Sequence, residues 1–301
     1  MERMTSISVM PKAKFERDDF DEMCLFTGAP VNRTRQGEHV IPRWLIEDYE
    51  LNHRRIEIGW PGSLAEIKEF RTRADPTANG KFGNLENRVK LGGTSLDHLH
   101  LWQKKISVGM TLCHWRMAQN KYHPQAPGDF DTRHLVFALE DFRSDFKKFS
   151  TEQPVPRNGS TLVLPTSIPG GWLAHVFGST VFSGEVHDAL MPFGMVAVTH
   201  QNKLIVSVLY DTEREFESSR LVKEWKELKL NECSNAPTLA AALAVAFTEF
   251  LFKAMAENLG TVGEGFDSLL KGIGYQLGLD INPATHQYQP RLQPRQLRHD
   301  G

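Results

Sequence analysis

The stretch that organises this chain is Gln36-Gly37-Glu38-His39-Val40-Ile41-Pro42-Arg43-Trp44-Leu45, an acidic residue and a histidine set between a glycine and a proline-started run. Upstream, residues 23–26 are apolar and are followed by Thr27-Gly28-Ala29-Pro30, which favours a turn. Residues 38–41 are predicted to be the returning strand. Pro42 suits the first turn of a helix that Trp44 and Leu45 make amphipathic. The local prediction is strand, loop, strand, helix.

The amino-acid composition limits the classes of protein to which this chain can belong. The chain has 301 residues, 40% of them hydrophobic and 24% charged, with a net charge of −2. This balance excludes a protein that coats DNA non-specifically, although a nuclease needs only a local basic patch. Three widely spaced cysteines argue against a disulfide framework. The sequence shows no signal-peptide core and no uninterrupted run of ~18 apolar residues, so a cytoplasmic protein with no membrane partner is predicted.

The predicted fold class is α+β, in four segments. Residues 1–20 are predicted to be a flexible leader, 21–150 a mostly helical domain, 151–281 an α+β domain with an antiparallel sheet and a buried helix, and 282–301 a disordered tail. In the first domain a helix is predicted to start at Ser63, a turn at 79–84, two helices on either side of Gly92-Gly93, and a helix at 132–149. In the second, strands are predicted at 161–164, 175–182, 195–199 and 204–209, and helices at 212–228 and 238–259.

Glu38 and His39 are the residues that suggest chemistry. A histidine near neutrality can take a proton from water, and a carboxylate can hold a hard divalent cation, which are the two tasks of phosphodiester hydrolysis. Neighbours on a strand point to opposite faces, so only a bend brings both to one ligand. The plain alternative is a solvated glutamate beside a structural strand histidine.

Two blocks carry a family resemblance. Cys24-Leu25-Phe26-Thr27-Gly28 followed by Glu38-His39-Val40-Ile41-Pro42 resembles the opening of the HNH endonuclease family, in the branch with CxxC and then EHxxP before a hydrophobic helix. Asp75-Pro76-Thr77-Ala78-Asn79-Gly80 with the later Leu85-Glu86 resembles the second block of that branch. The resemblance covers about residues 22–110. It implies a ββα-metal unit, in which a hairpin carries the histidine and a helix closes the metal site.

By this resemblance, His39 is the general base, Glu38 is a metal ligand, and Asn79 takes the place of the last motif residue. A divalent cation such as Mg²⁺ is then the implied cofactor. The chain departs from the family where Phe70 stands in place of the middle asparagine. It also lacks three of the four thiolates of the zinc knuckles, which read Cys24-x-x-Thr27 and Asp75-x-x-Ala78 here, so no structural zinc is predicted.

The implied function is a divalent-metal-dependent DNA endonuclease, with a defence role suggested by the family alone. The alternative is a catalytically inactive ββα-metal protein that binds nucleic acid or a partner protein, and a third hypothesis places an unrelated enzyme site in residues 151–281. That second domain is also the predicted surface for a protein partner or an oligomer. The predicted phosphate contacts are the arginines that flank the Glu-His pair: Arg33, Arg35, Arg43, Arg54 and Arg55.

Other candidates are weaker. His98 and His100 stand two apart on one predicted helix and would point in different directions. Cys113-His114 is predicted to be helix core with an exposed histidine, and His175, His187 and His200 are predicted to be structural.

Overall fold

The structure is a computed structural model. It describes residues 20, 22–31, 37–58, 63–118, 132–183, 188–218, 222–223 and 235–259, together with positions 270, 271, 273, 277, 279–281 and 288–290. Helices combine with antiparallel sheets in it, which confirms the predicted α+β class. The predicted leader and tail lie outside the described residues except at position 20 and at 288–290, and 288–290 form a strand where the sequence predicted disorder.

The first part of the chain holds two small sheets. Its elements are β1 (Glu38–His39), α1 (Arg43–Asp48), β2 (Arg55–Ile58), β3 (Ser63–Glu66), β4 (Arg71–Thr72) and α2 (Pro76–Lys90). β1 pairs antiparallel with β4, and β2 pairs antiparallel with β3. The predicted helix after Pro42 is therefore confirmed as α1, but the partner of the Glu-His strand comes from about thirty residues downstream.

Two local predictions were wrong, the strand at 23–26 and the helix that starts at Ser63. Residues 24–28 form a turn, in which the Gly28 amide donates to the Cys24 carbonyl, and only Met23 makes a β-bridge, to Pro30. Ser63 begins β3 rather than a helix, and the capping box is the pair Glu66 and Glu69 of a short 3-10 helix.

Residues 79–84, predicted to be a turn, lie inside α2. Asp75 caps this helix by accepting from the amides of Thr77 and Ala78, and Pro76 occupies its first turn. Along its length Ala78, Phe82, Leu85 and Val89 are buried on one face. That continuous apolar face outweighs the helix-weakening effect of Gly80 and Gly83.

Two long helices follow. Gly92 adopts the left-handed conformation with φ 74° after α2, and α3 (Leu96–Ala118) begins four residues later. α4 (Thr132–Ser150) then packs on α3. The predicted break at Gly92-Gly93 and the predicted helix at 132–149 are confirmed.

The second part of the chain is built on one four-stranded antiparallel sheet. Its strands are β5 (Gly159–Pro165), β6 (Leu173–Ser183), β7 (Asp188–His200) and β8 (Lys203–Leu209), in the spatial order β5-β8-β7-β6. Gln201 and Asn202 both take positive φ in the two-residue turn between β7 and β8, as such hairpins require. All four predicted strands are confirmed. The remaining elements are α5 (Glu215–Ser218), α6 (Ala236–Leu259) and the pair β9 (Leu279–Ile281) and β10 (Tyr288–Pro290).

Both faces of this sheet are covered. Alternate residues of β7 and β8, such as Val196, Val198 and Ile205, join the core formed with α3, while Met195, Ala197 and Val206 join the core formed with α6. The predicted boundary at 151–159 stays a prediction. The segments on either side of it contribute to one continuous core.

α6 confirms the helix predicted at 238–259 and packs one face on the sheet through Leu239, Leu243, Phe247 and Leu251. Val245 and Phe252 are exposed on its outer face. The prediction of a helix buried on all sides was therefore wrong. Over Ala236–Ala254 it is long and apolar enough to cross a membrane, with a mean hydropathy of 1.4, although a core helix has the same properties. Of the helix predicted at 212–228, the structure describes helical residues at 215–218 and 222–223.

Candidate functional site

The pairing of β1 with β4 sends Glu38 and His39 in opposite directions. Glu38 lies opposite Thr72, and His39 lies opposite Arg71. Directly opposed residues of antiparallel strands share a face, and successive residues alternate. Thr72 is buried and Arg71 is exposed, so Glu38 faces the interior and His39 faces outward beside Arg71.

Two glycines allow close contacts around β1, one with β4 and one with α3. A Cβ on Gly37 would lie 2.9 Å from the carbonyl oxygen of Thr72, so the residue that precedes Glu38 must lack a side chain for β1 and β4 to approach. A Cβ on Gly109 of α3 would lie 2.7 Å from a methyl carbon of Val40. Val40, the residue that follows β1, therefore packs directly on the backbone of α3.

The inward-facing Glu38 meets a fully buried lysine. The Lys105 ammonium lies 3.0 Å from Glu38 Oε1 and 3.1 Å from Glu86 Oε1, and it also donates to the backbone carbonyl of His39. Burial alone would lower the pKa of Lys105, but the carboxylates of Glu86 and Glu38 outweigh it and raise that pKa. Lys105 is therefore a buried cation shared by two carboxylates.

The electrostatic environment of His39 is positive. Partial burial lowers its pKa, and the charges of Arg71, Lys105 and Arg43 lower it further, against the opposing charge of Glu38. Its imidazole is therefore neutral at pH 7. A neutral imidazole beside guanidinium groups is able both to accept a proton and to lie against an anion.

Glu38 and Asn79 do not form the predicted ligand pair. Asn79 is in the first turn of α2, on the same side as Glu86 but seven residues earlier, which places it about 10 Å along the helix axis from Glu86. One Glu38 carboxylate oxygen, Oε1, accepts a hydrogen bond from Lys105, so the ammonium occupies the position beside that oxygen where an ion would bind. Within the described part of the chain, no three histidine, cysteine, aspartate or glutamate side chains converge as a metal site. The residues present do not fit a divalent ion held by Glu38 and Asn79.

The predicted arginines separate into three groups. Arg33 and Arg35 lie outside the described residues. Arg43 is exposed on α1, where its Nε donates to Glu47, and it is close enough to His39 to lower the histidine pKa. Arg54 and Arg55 lie at the start of the β2–β3 hairpin, and Arg55 faces Glu66 across it at 3.9 Å. Of the three described members of the set, Arg43 is the one whose charge acts on His39.

The positions of the two altered knuckles lie in contact. Cys24 Sγ accepts a hydrogen bond from the Asp75 amide at 3.2 Å, and the Leu25 amide donates to the Arg73 carbonyl. The Asp75 carboxylate is used in capping α2. Arg143 of α4 donates to the carbonyls of Cys24 and Leu25 and so closes the turn from the other side. Hydrogen bonds and a helix cap hold this junction.

His100, His175 and His200 are buried in the core rather than exposed at this site. His98 is only partly buried on α3, and its ring contacts Phe149. His100 is bonded to Thr161, His175 to Ser107, and His200 to Tyr49 and the Lys90 carbonyl. The first two link α3 to the sheet. His114 was predicted to be exposed, but its ring stacks on Phe177. His187 lies outside the described residues.

Sequence reasoning missed Lys105, Glu86 and Arg71 as members of this site. Lysine in the middle of a helix is normally solvated, so a position in α3 gave no sign that the side chain is buried. Arg71 could have been found only by knowing that β4 is the partner of β1.

No protein-family model, curated protein or solved structure matches this chain.

Proposed function

We propose that this chain is an HNH-like DNA-binding protein that contacts the phosphate backbone through the outward face of β1 and β4. The observation that carries the proposal is the environment of His39: a neutral, half-buried imidazole opposite Arg71 and within the electrostatic reach of Arg43. Phosphate contacts in DNA complexes come mainly from such guanidinium and polar groups.

The chain order supports the HNH-like part of the proposal. Two antiparallel strands, β1 and β4, are followed after three residues by α2, and the first strand carries Glu38-His39. The contact between Cys24 and Asp75 joins the two positions where the family has its first and third knuckle cysteines. This arrangement is the one that a ββα unit with a long insertion between its strands would have.

Among the residues that the structure describes, each arginine is bonded through its Nε, which leaves its terminal N–H groups for phosphate. Arg71 Nε donates to the Lys68 carbonyl, and Arg43 Nε donates to Glu47, while a guanidinium carries five N–H groups in all. Arg116 donates to the Arg71 carbonyl and so fixes the backbone on which this guanidinium stands. A local pair of this kind binds DNA despite the net charge of −2.

Fluorescence anisotropy with a labelled duplex of about 30 base pairs, titrated at several salt concentrations, tests the proposal. Arg71→Ala and Arg43→Ala should each weaken binding and reduce the salt slope by about one. Lys253→Ala, an exposed lysine on α6 on the other side of the sheet, is the matched control and should bind like the wild type. Equal affinity for Arg71→Ala and Lys253→Ala, or no binding by the wild type at low salt, would overturn it.

A second candidate function is phosphodiester hydrolysis with His39 as the general base. The neutral imidazole favours it, since Nδ1 or Nε2 can accept the proton of a water that attacks phosphorus. We derive no step through a metal ion, because Glu38 and Asn79 do not fit one. The assay is the nicking of supercoiled plasmid with Mg²⁺, Mn²⁺, Ni²⁺ or EDTA. Nicking that is absent in His39→Ala and retained in Lys253→Ala supports hydrolysis, and DNA binding without nicking in any condition eliminates it.

A further inference from the structure

The Lys105 ammonium is enclosed by oxygen atoms. Glu38 Oε1, Glu86 Oε1 and the His39 carbonyl oxygen all lie within 3.1 Å of Nζ, and the side chain has no exposed surface. An ammonium group has three N–H donors and no acceptor, so each donor has one oxygen. The site is complete as it stands.

The same three oxygens have the chemistry of a hard-cation site. Two carboxylates and a backbone carbonyl are ligands that Ca²⁺, Mg²⁺ and Mn²⁺ accept. They come from two separate elements, β1 and α2, while α3 supplies the cation. Without the ammonium, the buried Glu86 carboxylate and the part-buried Glu38 carboxylate would face each other with no counter-charge, an unfavourable arrangement.

A metal ion and the ammonium exclude each other here. A divalent ion bound to Glu38 Oε1 at about 2.3 Å would lie no more than about 5 Å from Lys105 Nζ, since that nitrogen is itself 3.0 Å from the oxygen. In a buried site, two cations at this separation repel strongly.

We infer that Lys105 is the resident cation of this carboxylate site, and that replacing it with a smaller uncharged residue opens a divalent-cation site formed by Glu38, Glu86 and the His39 carbonyl. The inference rests on the geometry of the cluster and does not depend on the proposed DNA binding. It also states that the wild-type chain holds no divalent ion at Glu38.

The wild-type protein provides the first test. Mn²⁺ is titrated into the wild type and into Glu38→Gln by isothermal calorimetry. Because the ammonium already occupies the site, the two proteins should give isotherms that agree within twofold. A wild-type Mn²⁺ site that disappears in Glu38→Gln would overturn the inference.

Lys105→Ala provides the second test. Its melting temperature should be well below that of the wild type and should rise by several degrees with millimolar Mn²⁺ or Ca²⁺, and the rise should vanish in Lys105→Ala/Glu38→Gln. A Lys105→Ala protein that folds but shows no Glu38-dependent rise contradicts the inference. Folding that appears only when the cation is added counts as the expected rise.

The adjacent Lys104 is the matched control. It is equally buried, but its ammonium binds Asp141 and Asp145 of α4. Lys104→Ala should lower the melting temperature as well, and any cation response it shows should be unaffected by Glu38→Gln. If Lys105→Ala fails to fold in every condition, Lys105→Gln is titrated instead, since its amide keeps a donor and adds an oxygen ligand without charge. No Glu38-dependent Mn²⁺ binding in that variant overturns the inference.

Discussion

At the scale of single residues, the buried histidines between α3 and the sheet give the fold a dependence on pH. Burial lowers the pKa of His175 well below its ordinary value, and the neighbouring His114 and His134 lower it further. Burial also lowers the pKa of His114 to about 4. These imidazoles are neutral in the folded protein, whereas they take up protons near pH 6.5 in the unfolded chain.

Stability should therefore fall as the pH drops below about 6.5. Between that pH and the lowered pKa the unfolded chain binds more protons, and for His114 the loss levels off near pH 4. At about 1.4 kcal/mol per pKa unit, the fall in the pKa of His114 from 6.5 to about 4 accounts for at most about 3.5 kcal/mol. Urea denaturation at pH 7, 5.5 and 4.5 should show a smaller loss of unfolding free energy in His114→Phe than in the wild type. The exposed His53, changed to Asn, is the control. Identical pH slopes in His114→Phe and the wild type would show that His114 does not contribute to the pH dependence of stability.

Single residues also show which features of the site the sequence could not predict. Glu38 and His39 were identified from their neighbours in sequence. Because side chains alternate along a strand, the sequence also indicated that these two would point to opposite faces. Their separation was settled by the partner strand, which lies outside the reach of any local pattern. Lys105 was hidden because burial of a lysine depends on two carboxylates, Glu38 and Glu86, that come from distant parts of the chain.

At the scale of elements, α2 contains two glycines, Gly80 and Gly83, in the segment that was predicted to be a turn. A Cβ on Gly80 or Gly83 would meet no atom within 4 Å. Gly80→Ala and Gly83→Ala should each stabilise the protein, by up to about 1 kcal/mol, because alanine is the better helix former and restricts the unfolded chain. The measurement is the midpoint of urea unfolding. A clear destabilisation by either change would mean that 79–84 is not regular helix.

Gly109 in α3 should behave in the opposite way. Alanine there improves helix propensity, but its Cβ would lie 2.7 and 2.8 Å from the two methyl carbons of Val40. Gly109→Ala should therefore destabilise by roughly 1–3 kcal/mol, the usual cost of overpacking. The cost should shrink in a Val40→Ala background, which removes the clash. Equal costs in both backgrounds would show that Val40 does not press on this glycine.

The elements show why some predictions succeeded and others failed. The β7–β8 hairpin and α4 were predicted correctly, since each carries a periodic apolar pattern and its own turn or helix signals. α2 carries such signals too, in Asp75-Pro76, but residues 79–84 were predicted to be a turn because of their glycines, and the cap was not considered. β4 has only two residues, Arg71 and Thr72, and a strand so short has no period to detect.

At the scale of the whole molecule, the sheet and the N-terminal helices depend on each other. Buried polar bonds cross from α3 to the sheet: Gln103 donates to the Ile205 carbonyl, and His100 and Ser107 bond to Thr161 and His175. The end of α1 is tied to the same sheet, because Tyr49, the residue that follows the helix, bonds to His200 and packs where Gly170 and Gly171 leave room for its ring. The strand that carries His39 is therefore supported, through α1 and α3, by residues beyond 159.

This dependence predicts that residues 1–158 do not fold alone, although two separate domains were predicted from the sequence. Without the sheet, the α3 face carrying Gln103 would lose its buried hydrogen bonds, and a core that includes Val196, Val198 and Ile205 would open to water. The fragment should bind the dye ANS, lack the near-ultraviolet circular dichroism of the full chain, and show no cooperative urea transition. The full chain, assayed in parallel, should show all the properties of a packed protein. A fragment that unfolds cooperatively would mean that the N-terminal core closes by itself, and the boundary at 151–159 would then separate two independent domains.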